Sequence, residues 1–148
     1  MTEPAFERYA RDVLAPAGIP WSVGGDATNE DYEGAVAQLG DQRWRVRTAR
    51  ITPRKPGAFL AFWRRAADGS TAPFPADAQD GLLVLVDDGG RRGGFRFTAD
   101  QLERLGITSS AGHPGKRGFR VYPAWSADLN PQAARTQRSQ APAFFELD

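Results

Sequence analysis

Arg-Trp-Arg-Val-Arg-Thr-Ala-Arg-Ile, residues 43–51, sets Arg43, Arg45 and Arg47 in alternation with Trp44, Val46 and Thr48. Successive side chains of a strand point to opposite faces, so this period of two predicts a strand with three arginines on one face. The following Thr-Pro-Arg-Lys-Pro-Gly (52–57) is a turn, because its two prolines break any continuing ladder. AFLAFWRR (58–65) and LLVLV (82–86) are apolar at successive positions and predict strands buried on both faces. Upstream, a strand over about 32–39 leads through a Gly40-Asp41 turn into 43–51, with which it is placed to pair. Downstream, DDGGRRGG (87–94) is a hairpin connection into GFRFT (94–98), and GFRVYP (118–123) is a further strand.

Helices bracket these strands. Phe6, Tyr9, Ala10, Val13 and Leu14 have the spacing of an amphipathic helix over 3–15, with Thr2 as N-cap and Pro4 in its first turn. Pro16, Gly18 and Pro20 end it. Thr98-Ala-Asp-Gln101 fits a capping box opening a short helix through Leu102 and Leu105, which Gly106 stops. Asn130 before Pro131 caps a last helix that ends near Pro142. The expectation is one α/β domain, residues 1–148, with a mixed sheet flanked by helices.

Composition excludes several classes. The chain of 148 residues is 41% hydrophobic and 11% aromatic with a net charge of +1, enough apolar surface for a core and too little charge for a disordered tail. No apolar run approaches the roughly 20 residues of a membrane span, so no membrane partner is expected. MTEPAFERYARD has early acids and lacks the apolar stretch of a signal peptide. The absence of cysteine excludes disulfides and thiolate sites, and a single histidine, His113, excludes a histidine cluster for zinc. The expected compartment is the cytoplasm.

Charge is unevenly spread. Residues 1–41 hold eight acids and two bases, residues 42–67 eight bases and no acid, and 68–148 nine bases against ten acids. The block 43–65 therefore offers arginine forks to a polyanion, with Trp44 and Trp63 as stacking surface. It reads equally as a solvated face neutralised by the preceding acids. The loop Gly-His-Pro-Gly-Lys-Arg-Gly-Phe-Arg (112–120) combines glycines with Lys116, Arg117 and Arg120, an anion-binding composition without the spacing of a P-loop. A plain surface turn is the alternative, with His113 solvent-exposed. Glu30, Asp31 and Glu33 are carboxylates that suit Mg²⁺ or act as counter-ions to the arginine row.

Two stretches, read together, carry a resemblance. Arg47-Thr-Ala-Arg50-Ile-Thr52-Pro53-Arg-Lys55-Pro-Gly57-Ala-Phe59 with Trp63-Arg64-Arg65 is similar to the R-x-A-K-x-T-P-x-K-x-G-x-F and W-x-R signature of MepB-like proteins. Gly115-Lys116-Arg117-Gly-Phe-Arg120-Val121-Tyr122-Pro123 with Trp125 resembles the G-K-R-x-x-R-V-Y-P-x-W segment of that family. Ala133 to Gln140 and Phe144-Phe145 fit its closing helix and aromatic tail. Arg50 replaces the usual Lys, Ser139 an aromatic, and Ala58 a common Gln.

The resemblance implies a restriction-endonuclease-like core and a link to a multidrug efflux cluster, and it supplies no established activity. Nucleases of that core hold Mg²⁺ with an acid and a D/E-x-K pair on adjacent strands, and no D/E-x-K lies in a predicted strand here.

Three functions follow as expectations. The first is a non-catalytic nucleic-acid-binding protein: Arg47, Arg50, Lys55, Arg64, Lys116, Arg117 and Arg120 contact phosphates, Trp63 or Tyr122 stacks on a base, and no cofactor or metal is needed. The second is an Mg²⁺-dependent phosphodiesterase using Glu30, Glu33 and Lys55. The third is a small-molecule or protein-binding accessory domain in which Arg47 and Arg64 pair with interior carboxylates.

Overall fold

The computed structural model describes residues 3–26 and 28–147. The element order begins with α1 (Ala5–Tyr9), which continues as a π-helical turn over Ala10–Leu14. Strands β1 (Trp21–Gly25), β2 (Ala35–Leu39), β3 (Gln42–Thr48), β4 (Arg50–Ile51), β5 (Ala58–Ala61), β6 (Arg64–Arg65), β7 (Thr71–Ala72), β8 (Gly81–Asp88) and β9 (Arg91–Thr98) follow. The chain then forms α2 (Ala99–Arg104), β10 (Gly118–Val121), α3 (Pro131–Gln140) and β11 (Phe144–Leu147).

A six-stranded mixed sheet runs in the order β1-β2-β3-β8-β9-β11. Only the central β3–β8 pairing is parallel, and the other four are antiparallel. β8 is buried from Gly81 to Val86 because both its faces are covered. On one face Leu83 and Leu85 join Ala37 and Val46 beneath Phe6, Tyr9, Ala10 and Leu14 of the N-terminal helix. On the other, Leu82, Val84 and Val86 pack with Phe95, Phe97, Leu60, Val121 and Leu102. That second cover corrects the expectation of helices alone, since it is built largely from a three-stranded sheet, β10-β5-β4.

The stretch 43–51 is split rather than continuous. Trp44 to Thr48 pair with Gly81 to Leu85, whereas Arg50 and Ile51 pair with Phe59 and Ala58 of the small sheet. Ala49, small and buried, is the point of transfer, and its N–H donates to Leu85 O at 2.9 Å. AFLAFWRR divides likewise into β5 and the exposed β6, and β5 alternates buried Ala58 and Leu60 with half-buried Phe59 and Ala61, so only one of its faces is buried and the expectation of burial on both is corrected.

Both sheet edges, β1 and β11, are absent from the sequence reading. The helix signals agree with the structure: Thr98 and Gln101 form the reciprocal capping box, and Asn130 Oδ1 accepts from Ala133 N at 2.8 Å. Gly89 and Gly90, at φ 59° and 94°, turn the β8–β9 hairpin. The proposed N-cap Thr2 lies outside the described residues. Among the described residues no helix is long and apolar enough to cross a membrane.

Candidate functional site

Period two does place Arg45 and Arg47 on one face of β3, but that face looks into the second core and not into solvent. Arg47 has no exposed surface. Its Nη2 donates to Asp26 Oδ2 at 2.9 Å, Nε to Asn29 Oδ1 at 3.0 Å and Ala61 O at 3.2 Å, and Nη1 to Val46 O at 2.8 Å. Arg45 Nη1 reaches the same Asp26 oxygen at 3.2 Å, and Arg45 Nε donates to Gln79 Oε1. The guanidinium of Arg45 lies 4.1 Å from the Phe74 ring centre and that of Arg47 5.4 Å from Phe62. Burial lowers the proton affinity of both guanidinia and Asp26 opposes it. At Asp26 burial pulls upward, yet the Arg47 charge and hydrogen bonds from Thr28 and Arg47 prevail and hold its ionisation below the ordinary carboxylate value.

Asp26 and residues 28–34 form the roof of this knot. Asn29, at φ 63°, turns its side chain inward, where Oδ1 also accepts from Trp63 N at 3.2 Å. Gly34 closes the loop at a position where a Cβ would come within 2.7 Å of Thr28 O. Arg47 is thus withdrawn from the phosphate-contacting set, because it has no exposed surface and each of its three nitrogens donates inside the protein. The interior carboxylate pairing expected under the third reading holds for Arg47 and not for Arg64, which is exposed and donates to Pro73 O at 3.2 Å.

The acids do not assemble with Lys55. Glu33 Oε1 accepts from Thr48 Oγ1 at 2.6 Å and from Ala5 N at 3.3 Å, which ties the roof to β3 and α1. Glu30 lines a cleft with Asp31, Tyr32 and Trp63, whereas Lys55 sits exposed in the 52–57 turn. Among the described residues no three His, Asp or Glu side chains group to hold a metal ion. Trp63 carries the Arg65 guanidinium 4.9 Å from its ring centre, and Arg50 lies 5.4 Å from the Tyr32 ring centre.

The remaining basic candidates converge elsewhere. A groove of about 760 Å³ runs between α2, β10 and α3, over a floor that includes Leu105, Ile107 and Phe119. Its walls carry Arg104, Lys116, Arg120 and Arg135, with Tyr122, Asn130 and Thr136, and no acid among the described residues. Gln140, buried, fixes α3 against β10: its Nε2 donates to Arg120 O at 2.8 Å and its Oε1 accepts from Tyr122 N at 2.9 Å. Arg120 is held by Thr52 Oγ1 at 2.8 Å and Pro56 O at 3.2 Å, which brings the turn bearing Lys55 beside the groove. Arg117 lies outside its lining, donating to Thr71 O and Oγ1. Tyr122 packs on Gly57, where a Cβ would approach its ring to 2.8 Å and φ is 78°.

Of the sequence candidates, then, Lys116, Arg120 and Tyr122 share one groove, the turn bearing Lys55 adjoins it, and Arg50, Arg64 and Trp63 are not among its lining residues. Sequence reasoning missed Arg104 and Arg135, which α2 and α3 deliver to the same walls. A signal for them existed: from Arg104 to Phe145 the only acid is Asp128. Asp26 and Asn29 were also missed, and no spacing rule links them to Arg47.

Against known proteins, no curated sequence matches the chain. The solved crystal structure of MepB is similar over its full length: TM-score 0.86, 27% sequence identity, and 99% of each chain covered. The family model described as MepB-like matches residues 26–146, a span that takes in the Asp26–Arg47 knot and the basic groove. The chain belongs to the MepB-like family.

Proposed function

We propose that this protein binds the phosphate backbone of a nucleic acid, without catalysis, in the groove between α2, β10 and α3. The observation that carries this reading is four cationic side chains on one groove with no acid among its lining residues. Arg104, Lys116 and Arg135 are exposed, and among the described residues none of the four forms an ion pair. Cations left without counter-ions on a concave surface attract a polyanion and release its condensed ions on contact. Tyr122 supplies a ring on which a base can stack.

Lys55, on the adjoining turn, extends the track. The restriction-endonuclease-like comparison is supported by the mixed sheet, and the cytoplasm, expected of a cysteine-free chain, is where such a polymer would be met. The phosphodiesterase alternative has less support, since Glu33 is committed to Thr48 and Ala5 and is not grouped with Lys55.

The test is fluorescence anisotropy with short labelled single- and double-stranded DNA and RNA at two salt concentrations, with and without Mg²⁺, the same samples then being run on a gel. Salt-sensitive binding with intact strands is the expected result. Cleavage that requires Mg²⁺ would promote the phosphodiesterase, and no binding at low salt would end both readings.

A further inference from the structure

We propose that two copies of this chain associate through β1, joining their six-stranded sheets into one continuous sheet. β1 is an edge strand, and all five of its residues are exposed. Its backbone has one satisfied side. Pro20 O accepts from Gly40 N and Asp26 N donates to Gly34 O, so the even-numbered residues of this segment turn their polar groups toward β2. By the alternation of an antiparallel ladder, the N–H and C=O of Trp21, Val23 and Gly25 point away from the sheet.

Natural edges are commonly protected by lysine, proline, a bulge or a covering segment. Trp21-Ser-Val-Gly-Gly25 has no charged residue and no proline, and it pairs with Leu39 to Ala35 in unbroken register. The opposite edge is different: β11 carries Glu146, ion-paired to Arg91 at 2.8 Å. Beside β1 stand three of the exposed large apolar side chains, Ile19, Trp21 and Val23, at 38%, 41% and 47% exposure. Trp21 and Val23 share a face, since their partners Leu39 and Ala37 both pack beneath α1.

The occupant that fits is a second copy. A two-fold axis sets every residue of an edge against its own kind, so a charged strand repels itself and this uncharged one does not. With the axis at Val23, the pairs are Val23 with Val23 and Trp21 with Gly25. These are the residues whose polar groups face outward, so each pair exchanges both of its backbone hydrogen bonds. The side chains also match. A Cβ built on Gly25 meets no atom of the described residues within 4 Å, which leaves room for the partner's Trp21 indole. Five residues a side make a contact smaller than a standard stable interface, so the dimer is expected to be weak and concentration-dependent.

Sedimentation equilibrium of the full chain from low micromolar to submillimolar concentration tests this. The wild-type chain is expected to pass from monomer to dimer. Val23→Lys, which sets two like charges on the axis, and Gly25→Pro, which removes an outward N–H that the shared ladder needs, are expected to stay monomeric. Both replace exposed residues, and an unchanged melting curve checks that each variant folds. Backbone amide exchange of the wild type should slow with concentration at Trp21, Val23 and Gly25. A monomer at every concentration, or a dimer that either folded variant leaves intact, overturns the proposal.

Discussion

One oxygen of Asp26 serves two arginines: Oδ2 accepts from Arg47 Nη2 at 2.9 Å and from Arg45 Nη1 at 3.2 Å. The Arg47 side chain has no exposure and that of Asp26 only 10%, so neither charge can turn to water for compensation. Removing one partner of a buried pair strands the other, at a cost of about 3–5 kcal/mol. Asp26→Asn is therefore expected to lower the unfolding free energy by about that amount in urea titrations. Arg47→Met should cost less, because Asp26 keeps Arg45 and Thr28. The reverse order of the two variants would show that Asp26 is not the group that holds the knot.

The same pair fixes a pH dependence. Folding depresses the Asp26 carboxyl, so the unfolded chain binds its proton more readily and stability rises with pH across that interval. The contribution is complete above the unfolded value of about 3.9 and is lost as pH falls through the lower folded value. The stability gap between wild type and Asp26→Asn should accordingly shrink below about pH 4, measured as paired thermal melts. A gap that stays constant down to pH 2 would remove Asp26 from the acid response.

In the groove, Lys116 projects from the loop before β10 and Arg135 from α3, and among the described residues neither side chain forms an ion pair. Lys116→Ala and Arg135→Ala should each weaken oligonucleotide binding without lowering the melting temperature. Each should also reduce the slope of log affinity against log salt by about 0.7–0.9, the share of one phosphate contact. Arg64→Ala, outside the lining of the groove and bound to Pro73 O, should leave both quantities unchanged. Equal losses from all three variants would mean that the binding surface is not this groove.

How much of this was legible follows from what each signal measures. Local chemistry carried through: the Thr98–Gln101 box and the Asn130 cap depend on neighbours three residues apart, and both form. The apolar run in β8 announced a central strand because burial on both faces leaves no room for polar alternation. Alternation in β3 gave the correct faces but the wrong exposure. Only a tertiary partner, Asp26, decides whether an arginine row lies in water or beneath a roof. The edge strands escaped for opposite reasons. β1 contains two glycines and an exposed apolar face, and β11 is four residues following a Pro142 turn, pinned by its ladder with β9. The groove was half visible, as Lys116 and Arg120 share a loop and strand, whereas Arg104 and Arg135 arrive on separate helices.

Gly94 and Gly24 make opposite predictions from the same residue type. Gly94 sits in β9 between β8 and β11, where a Cβ would collide with the Val84 carbonyl oxygen and come within 3.0 Å of the Phe145 ring. Backbone cannot yield there without opening the central ladder, so Gly94→Ala is expected to cost at least the ~1–3 kcal/mol typical of overpacking. Gly24 lies in β1 with no atom of the described residues within 4 Å of such a Cβ, and its φ is not positive. Glycine inside a strand is disfavoured by roughly 0.5–1 kcal/mol relative to alanine through its entropy, so Gly24→Ala should leave stability unchanged or raise it by up to that much. Chemical denaturation of the two variants side by side checks the pair. Equal effects would mean that the space around these glycines, which sets them apart here, does not decide why each is glycine.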